Sequence, residues 1–155
     1  MPDSMPLVPF TAFNFSVEID VPSVSPLLCK AAFSECDGLE VTMEVKTLKE
    51  GGNNDRQFRL TGPLSYGQLT LKRGMTDGFE LWDWMAAVQE RPALRAACNV
   101  VMLGPDGKTE RARFLLERCL PVKVKAPALN AKEGTVAVEE LQIAYESLTL
   151  SRSRG

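Results

Sequence analysis

Few residues of this chain could carry out acid–base chemistry. The chain has no histidine, which removes the commonest general base and every Ser-His or Cys-His nucleophile pair. Glu139 and Glu140 form an adjacent carboxylate pair, but the segment around them is typical of a β-strand. Because adjacent strand residues point to opposite faces, one cleft cannot collect both carboxylates. We interpret the pair as a bulge or as a contact between subunits.

Four cysteines, at positions 29, 36, 98 and 119, are the soft metal ligands that the chain offers. None of their spacings is Cys-x-x-Cys, and no secretory signal accompanies them. We interpret them as buried or half-buried thiols in a reducing compartment. The sequence therefore predicts no catalytic, cofactor-binding or metal-binding residues and no enzyme activity.

The segment "EGGNN" has the glycines of a phosphate-binding loop. Such a loop must lead from a strand into a helix N-terminus, with Lys or Ser/Thr following. Here it leads into "QFRLTG", a return strand in which we expect Phe58 and Leu60 to point inward. The loop is therefore predicted to be a hairpin tip, which either is solvated or contacts another molecule.

The composition is that of one soluble globular domain of 155 residues, with 45% hydrophobic and 25% charged residues. A net charge of −2 gives no basic excess, so we do not expect nucleic acid as the main partner. "MPDSMPLVPF" has no basic region before an apolar run, so we expect no signal peptide and synthesis in the cytoplasm. We also expect no membrane insertion, since no window reaches the roughly 18 apolar residues of a span.

Alternation of apolar and polar residues predicts half-buried strands. It occurs in "FNFSVEID" and in a long hairpin over residues 40–60, where Val41, Met43 and Val45 point one way. Further strands are expected in segments 66–74, 98–104, 108–120 and 135–150. The apolar phase of the last one changes at Glu139-Glu140, which predicts a bulge. Residues 1–11 are expected to form an extended arm and residues 151–155 a frayed tail.

One helix is predicted over residues 77–90, because apolar residues recur there at helical spacing: Leu81, Trp84, Met85 and Val88. Asp77 with Glu80 resembles a capping box, and Pro92 marks the end. Trp82 lies off the apolar stripe, so it either packs on the adjacent sheet or reaches a protein interface. The sum is a mainly β (α+β) fold in a single domain over residues 1–155. We expect two packed antiparallel sheets in a barrel-like sandwich with one flanking α-helix.

Several segments occur in the order found in a known family: "FNFSVEID", "FSECDGLEVTMEV", "EGGNN", "LTGPLSYGQLTLKRGMTD" and "LWDW". Together they resemble the tail tube proteins of contractile phage tails and related contractile injection systems. The resemblance implies two packed sheets closing toward a barrel beside one helix. This fold is similar to that of Hcp, the ring-forming protein of type VI secretion.

The resemblance also implies a structural subunit that does no chemistry and needs no cofactor. Homo-hexameric rings would stack into a hollow inner tube that passes an effector protein or DNA. Expected partners are a sheath protein, baseplate or tube-initiator proteins, and terminator proteins. Assembly is expected in the cytoplasm, and the product is a phage tail or an extracellular or membrane-anchored injection particle.

Three other functions stay open. The chain could be a secreted Hcp-like carrier ring of a type VI secretion system, or a tube initiator at the baseplate. An enzyme or small-ligand binder built on a β-barrel would instead be a monomer with an apolar cavity.

The resemblance assigns the long hairpin to contacts beyond its own subunit. Contacts between rings are expected at its tip: Glu50, Gly51, Gly52, Asn53 and Asn54. Contacts around the ring are expected from charged residues of the strands: Glu44, Lys46, Lys72, Arg73, Glu139 and Glu140. Each exposed ion pair contributes only about 0–1 kcal/mol, so burial of apolar surface must stabilise the assembly.

Overall fold

The computed structural model describes residues 14–22, 33–49, 57–132 and 134–152. The predicted arm (1–11) and the hairpin tip (50–54) lie outside the described residues. Within them, the elements in chain order are β1 (Phe15–Asp20), β2 (Glu35–Asp37), β3 (Val41–Lys49), β4 (Gln57–Tyr66), β5 (Gln68–Gly74), α1 (Glu80–Glu90), β6 (Ala96–Leu103), β7 (Glu110–Lys125), β8 (Val138–Ala144) and β9 (Ser147–Arg152).

Seven of the strands form one antiparallel sheet in the order β1-β6-β7-β8-β5-β2, with β9 also beside β7. The first part of β7 pairs with β6 and β9, whereas its residues 120–125 pair with β8. β7 therefore belongs to two layers, and its bend folds the sheet onto itself. The predicted sandwich of two antiparallel sheets is confirmed. Among the described residues the end strands β1 and β2 do not pair with each other, so the barrel does not close.

The bend in β7 lies at Arg118, whose φ of 54° is in the left-handed region that few L-residues adopt. The pairing register with β6 shifts beside it. The Arg118 guanidinium donates to the Glu146 carboxylate, and the Glu146 amide donates to the Glu117 carbonyl at 3.1 Å. Because Glu146 lies between β8 and β9, these contacts join the bend of β7 to the turn between β8 and β9.

The core lies between the two layers and under the helix. Its largest fully buried hydrophobic side chains come from five elements and from the residue after β1: Val17, Ile19, Val21, Leu69, Leu71, Leu81, Trp84, Leu116, Leu141 and Ile143. In the strands they recur at every second residue, as the alternating pattern predicted. The helix contributes the residues three apart that formed its apolar stripe.

The helix begins at Glu80, three residues later than predicted, and ends at Glu90, before Pro92. Its N-cap residue is Phe79, without a side-chain cap, so the predicted capping box does not form. Glu80 instead pairs with Arg73 of β5 at 3.0 Å. A buried guanidinium attracts this carboxylate more strongly than a local backbone amide can. At the C-terminus, β9 includes the first two residues of the predicted frayed tail.

The predicted bulge at Glu139-Glu140 is wrong. β8 pairs with β5 in an unbroken register across both residues. Glu139 continues the buried face of Leu141 and Ile143 and is itself fully buried. The bulge in this region lies in the partner strand β7, just after Pro121. The change of phase in the sequence therefore marks an inward-facing carboxylate.

Gly38 provides a test of this fold, because it turns the chain from β2 toward β3 with a φ of 105°. A Cβ there would lie 1.9 Å from the backbone oxygen of Gln68. We expect Gly38→Ala to lower the free energy of unfolding by more than about 3 kcal/mol, since strain and clash add.

Gly107→Ala is the matched control for this prediction. Gly107 has a φ of 70°, but nothing lies within 4 Å of the position its Cβ would take. Strain alone should cost about 1–2 kcal/mol there. Urea denaturation measures both variants, and equal losses would contradict the close approach at Gly38.

Candidate protein-protein interface

β3 and β4 form a two-stranded ribbon that pairs with no further strand among the described residues. Every residue of β3 is exposed, and in β4 only Gly62 and Tyr66 are partly covered. Seven large apolar side chains of the ribbon keep 42–53% of their surface exposed: Val41, Met43, Val45, Leu48, Phe58, Leu60 and Leu64. Exposed apolar side chains concentrated in this way are typical of a protein-protein interface.

The register between the two strands divides these side chains between the faces of the ribbon. Directly opposite residues share a face, and successive residues alternate. One face carries the apolar side chains nearest the sandwich, the base patch: Val41, Met43, Val45 and Leu64. The other face carries those nearest the hairpin tip, the tip patch: Leu48, Phe58 and Leu60.

On β3 the three-residue step from Val45 to Leu48 produces this division, and on β4 a bulge produces it. Gly62 and Pro63 together lie opposite Glu44, where the register shifts. The extra residue redirects every side chain beyond it, so the apolar residues of β4 fall on different faces on its two sides. Phe58 and Leu60, predicted to point inward, are exposed on the face opposite the base patch.

Tyr145, the residue after β8, fixes the base of the ribbon to the sandwich. Its hydroxyl donates to the Gly38 carbonyl at 2.7 Å and accepts from the Glu40 amide at 3.1 Å. Its ring lies 5.6 Å from that of Tyr66, the last residue of β4. Burial raises the pKa of the Tyr145 hydroxyl, which therefore keeps the proton it donates. One buried side chain thus holds both strands of the ribbon where they leave the sandwich.

Arg73 and Glu139, which we expected at a contact between subunits, lie inside the subunit instead. Arg73 Nε donates to Glu139 Oε1 at 2.6 Å, and its Nη2 donates to Glu80 Oε2 at 3.0 Å. Trp82 Nε1 donates to the second Glu139 oxygen at 3.2 Å, so Trp82 packs against the sheet. The guanidinium also lies 5.5 Å from the centre of the Phe33 ring. Buried charges are stable only when paired and hydrogen-bonded, as these are.

The other four charged residues expected at subunit contacts are at least partly accessible. Glu44 and Lys46 are exposed on the face of β3 that carries the tip patch. Lys72 and Glu140 lie opposite each other on β5 and β8, and Lys72 pairs with Glu35 at 3.3 Å. Their roles in assembly stay predictions.

The described cysteines are inside the fold: Cys98 and Cys119 are buried, and Cys36 is half-buried. Burial raises the pKa of the Cys36 thiol to about 12, so the thiolate needed for reaction does not form at neutral pH. The part of the chain that the structure describes contains no group of three metal-ligating side chains. Among the same residues, no helix has the length and apolarity to cross a bilayer.

An apolar cleft of about 270 Å³ opens between β1 and β2, the two end strands of the sheet, which do not pair with each other. Its apolar lining comes from both layers: Phe15, Cys36, Leu39, Val100, Met102 and Phe114. Sites for small organic ligands usually span about 300–1,000 Å³ and hold convergent polar groups. The cleft is smaller than this range, although Asn14, Ser34 and Glu35 contribute polar groups to its lining. As the open seam of the sandwich it gives little support to a small-ligand binder.

Sequence reasoning missed Tyr145 as the residue that fixes the ribbon. The sequence did indicate that Tyr145 is buried, because it lies two residues after Ile143 and four after Leu141, on the inward-facing side of the strand pattern. A tyrosine on a buried face needs a hydrogen-bond partner for its hydroxyl. That partner is the turn before β3, which is distant in sequence, so pattern reasoning alone could not name it.

A β-sandwich that extends an exposed apolar ribbon is typical of a protein that works through contacts with other proteins. The sequence matches the family model described as T4-like virus tail tube protein gp19 over residues 11–149, so the chain belongs to this family. The resemblance to tail tube proteins is confirmed, and the chain is a structural tube subunit. No curated protein sequence matches it.

Solved structures share the fold. One similar chain comes from the cryo-EM structure of an extracellular contractile injection system, the PVC sheath-tube complex in its extended state. Its TM-score is 0.77 at 18% sequence identity, and the match covers 94% of this chain and 93% of that chain. A chain of the anti-feeding prophage (AFP) baseplate has a TM-score of 0.79 at 24% identity, and the match covers 98% of this chain and 99% of that chain. Hcp1 from Flavobacterium johnsoniae has a TM-score of 0.52 at 13% identity, and the match covers 89% of this chain and 96% of that chain. The predicted Hcp-like and tail-tube-like fold is confirmed.

Replacing Tyr145 by Phe tests how the ribbon is held. The variant leaves the Gly38 carbonyl and the Glu40 amide without their partner, so we expect a loss of about 1–3 kcal/mol in the free energy of unfolding. Tyr66→Phe is the matched control, because no hydrogen bond of the Tyr66 hydroxyl is found among the described residues. It should change stability by less than about 0.5 kcal/mol. Equal losses in urea denaturation would contradict the role of the Tyr145 hydroxyl.

Proposed function

We propose that this chain assembles into hexameric rings that stack into the hollow inner tube of a phage tail or contractile injection particle. The β3–β4 ribbon supplies a main contact between copies. The observation that carries the proposal is the apolar surface that the ribbon exposes on both faces. Membership of the tail tube family supports further copies of the same chain as the partner.

The physical argument starts from the weakness of a lone ribbon. A two-stranded hairpin is marginally stable in water, and its open edges can pair with other chains. Covering the ribbon with a neighbouring subunit removes both problems. In a closed ring every subunit meets the next one in the same way, so each ribbon in the ring is covered.

Charged residues give this contact its specificity. We retain Glu44, Lys46, Lys72 and Glu140 as contacts between subunits, and residues 50–54 as the contact between rings. Exposed ion pairs contribute about 0–1 kcal/mol each and mainly fix register and partner choice. Apolar burial must supply the stability, since obligate interfaces bury about 2,000–5,000 Å².

A stacked tube is favoured over a secreted carrier ring of the type VI kind. The fold is closer to chains of contractile injection particles, with TM-scores of 0.77 and 0.79, than to Hcp1, with 0.52. A tube initiator at the baseplate would share the fold and the ring. It would differ in that its rings would not stack into long tubes by themselves.

In this proposal the tube contacts a sheath protein on its outside and baseplate, initiator and terminator proteins at its ends. Similarity to chains in sheath-tube and baseplate structures supports these partners. The bore passes an effector protein or DNA, and the subunit itself has no catalytic role and no cofactor. Assembly takes place in the cytoplasm, before the phage tail or injection particle acts outside the cell.

Size-exclusion chromatography with light scattering, followed by negative-stain microscopy, tests the proposal. We expect particles with the mass of a hexamer of the 17.1 kDa chain or a multiple of it, and rods with a central channel. Rings that never stack would favour the carrier ring or the initiator. A monomer at high protein concentration would contradict the proposal.

A further inference from the structure

The two apolar patches of the ribbon lie on opposite faces and at different distances from the sandwich. The centre of the base patch is near Met43 and that of the tip patch near Thr47, about four residues further along β3. At about 3.3 Å per residue, the centres of the two patches are separated by about 13 Å along the ribbon. A single surface lying against one face cannot cover both patches.

The face opposite each patch is polar. Across the ribbon from the base patch lie Thr42 and Ser65, and across from the tip patch lie Thr47 and Arg59. At any point along its length the ribbon therefore has one apolar face and one polar face. The face that is apolar near the sandwich is polar beyond the bulge, and the opposite face is the reverse. This arrangement is typical of a ribbon that is covered on one face at its base and on the other face near its tip.

We propose that the two patches dock on two different copies of this chain, an inference that rests on the proposed function. The base patch, beside the sandwich, contacts the neighbouring subunit of the same ring. The tip patch, which lies further out and on the other face, contacts a subunit of the adjacent ring. Ring closure and ring stacking are then stabilised by separate sets of side chains.

Charge supports a copy of this chain as the partner of the tip patch. The described residues beyond the bulge include three cations, Lys46, Lys49 and Arg59, and no Asp or Glu. Over the whole distal hairpin, residues 45–61, four Lys or Arg and two Asp or Glu give a net charge of +2, and the chain total of −2 then leaves −4 for the rest of the chain. The distal ribbon of one copy is therefore attracted to the rest of another copy.

Paired substitutions separate the two contacts. The base variant carries Met43→Thr with Leu64→Thr, and the tip variant carries Leu48→Thr with Phe58→Thr. Threonine keeps a high strand propensity, so the ribbon itself is retained. None of these side chains is part of the core. The melting temperature of each variant, measured on dispersed subunits, should therefore match that of dispersed parent subunits.

Matched controls exchange the two members of a polar pair on the face opposite each patch. At the base these are Thr42→Ser with Ser65→Thr. Next to the tip patch they are Lys49→Gln with Gln57→Lys. Both exchanges keep composition and charge, and we expect rings and rods as in the parent protein.

Light scattering and electron microscopy give the expected results. The base variant should remain dispersed, whereas the tip variant should form rings but at least about tenfold fewer rods, since tenfold corresponds to the burial of about one apolar side chain. Assembly that stops at the same stage in both variants, or in the reverse order, would overturn the inference. A parent protein that forms neither rings nor rods would instead overturn the proposed function.

Photo-crosslinking tests the inference without removing either patch. Benzoylphenylalanine replaces Met43 in one protein and Phe58 in another, and each is assembled with isotopically labelled parent subunits. Mass spectrometry should find crosslinks between copies to two different segments of the chain. Capture of the same segment from both positions, or crosslinks within one copy alone, would overturn the inference.

Discussion

The two-stranded ribbon of β3 and β4 has no second layer over it among the described residues, and this constraint governs the rest of the structure. Its apolar side chains are about half exposed on both faces, and its two strands pair with no others among the described residues. Such a ribbon in isolation would be marginally stable and prone to pair with other chains. A second protein surface that covers it would remove both liabilities. The chain belongs to the tail tube family, whose members are structural subunits of a tube.

The sandwich contributes a rigid base for the ribbon. Tyr145 joins the turn before β3 and the end of β4 to a strand of the core, so the ribbon leaves the sandwich in a fixed direction. Nearby, the ion pair of Arg73 and Glu139 links β5 to β8, and its contact with Glu80 holds the start of the helix. A buried pair of this kind adds little net stability compared with apolar residues, but removing one partner is costly. Its position therefore favours a role in fixing the geometry of the elements around it.

The alternating residues of β1, β5 and β8 and the helical spacing of Leu81 and Trp84 were sufficient to predict a two-layer β-sandwich with one helix. The ribbon was also predictable, because its apolar rhythm ends before a loop of glycines and asparagines. Three features were not predictable, because each depends on contacts distant in sequence. The buried position of Glu139 depends on Arg73 and Trp82, and the late start of the helix depends on the same guanidinium. The exchange of faces on β4 depends on a bulge that appears only when β4 is aligned with β3.

Amide hydrogen exchange, compared between the dispersed subunit and the assembled state, tests most directly whether the ribbon is completed by other copies. In the dispersed subunit, amides of β3 and β4 should exchange much faster than those of β5 and β8, since little free energy opposes local opening of the ribbon. In the assembled state the ribbon amides should exchange as slowly as the core strands. Ribbon amides that are already as slow as those of β5 and β8 in the dispersed subunit would contradict the account.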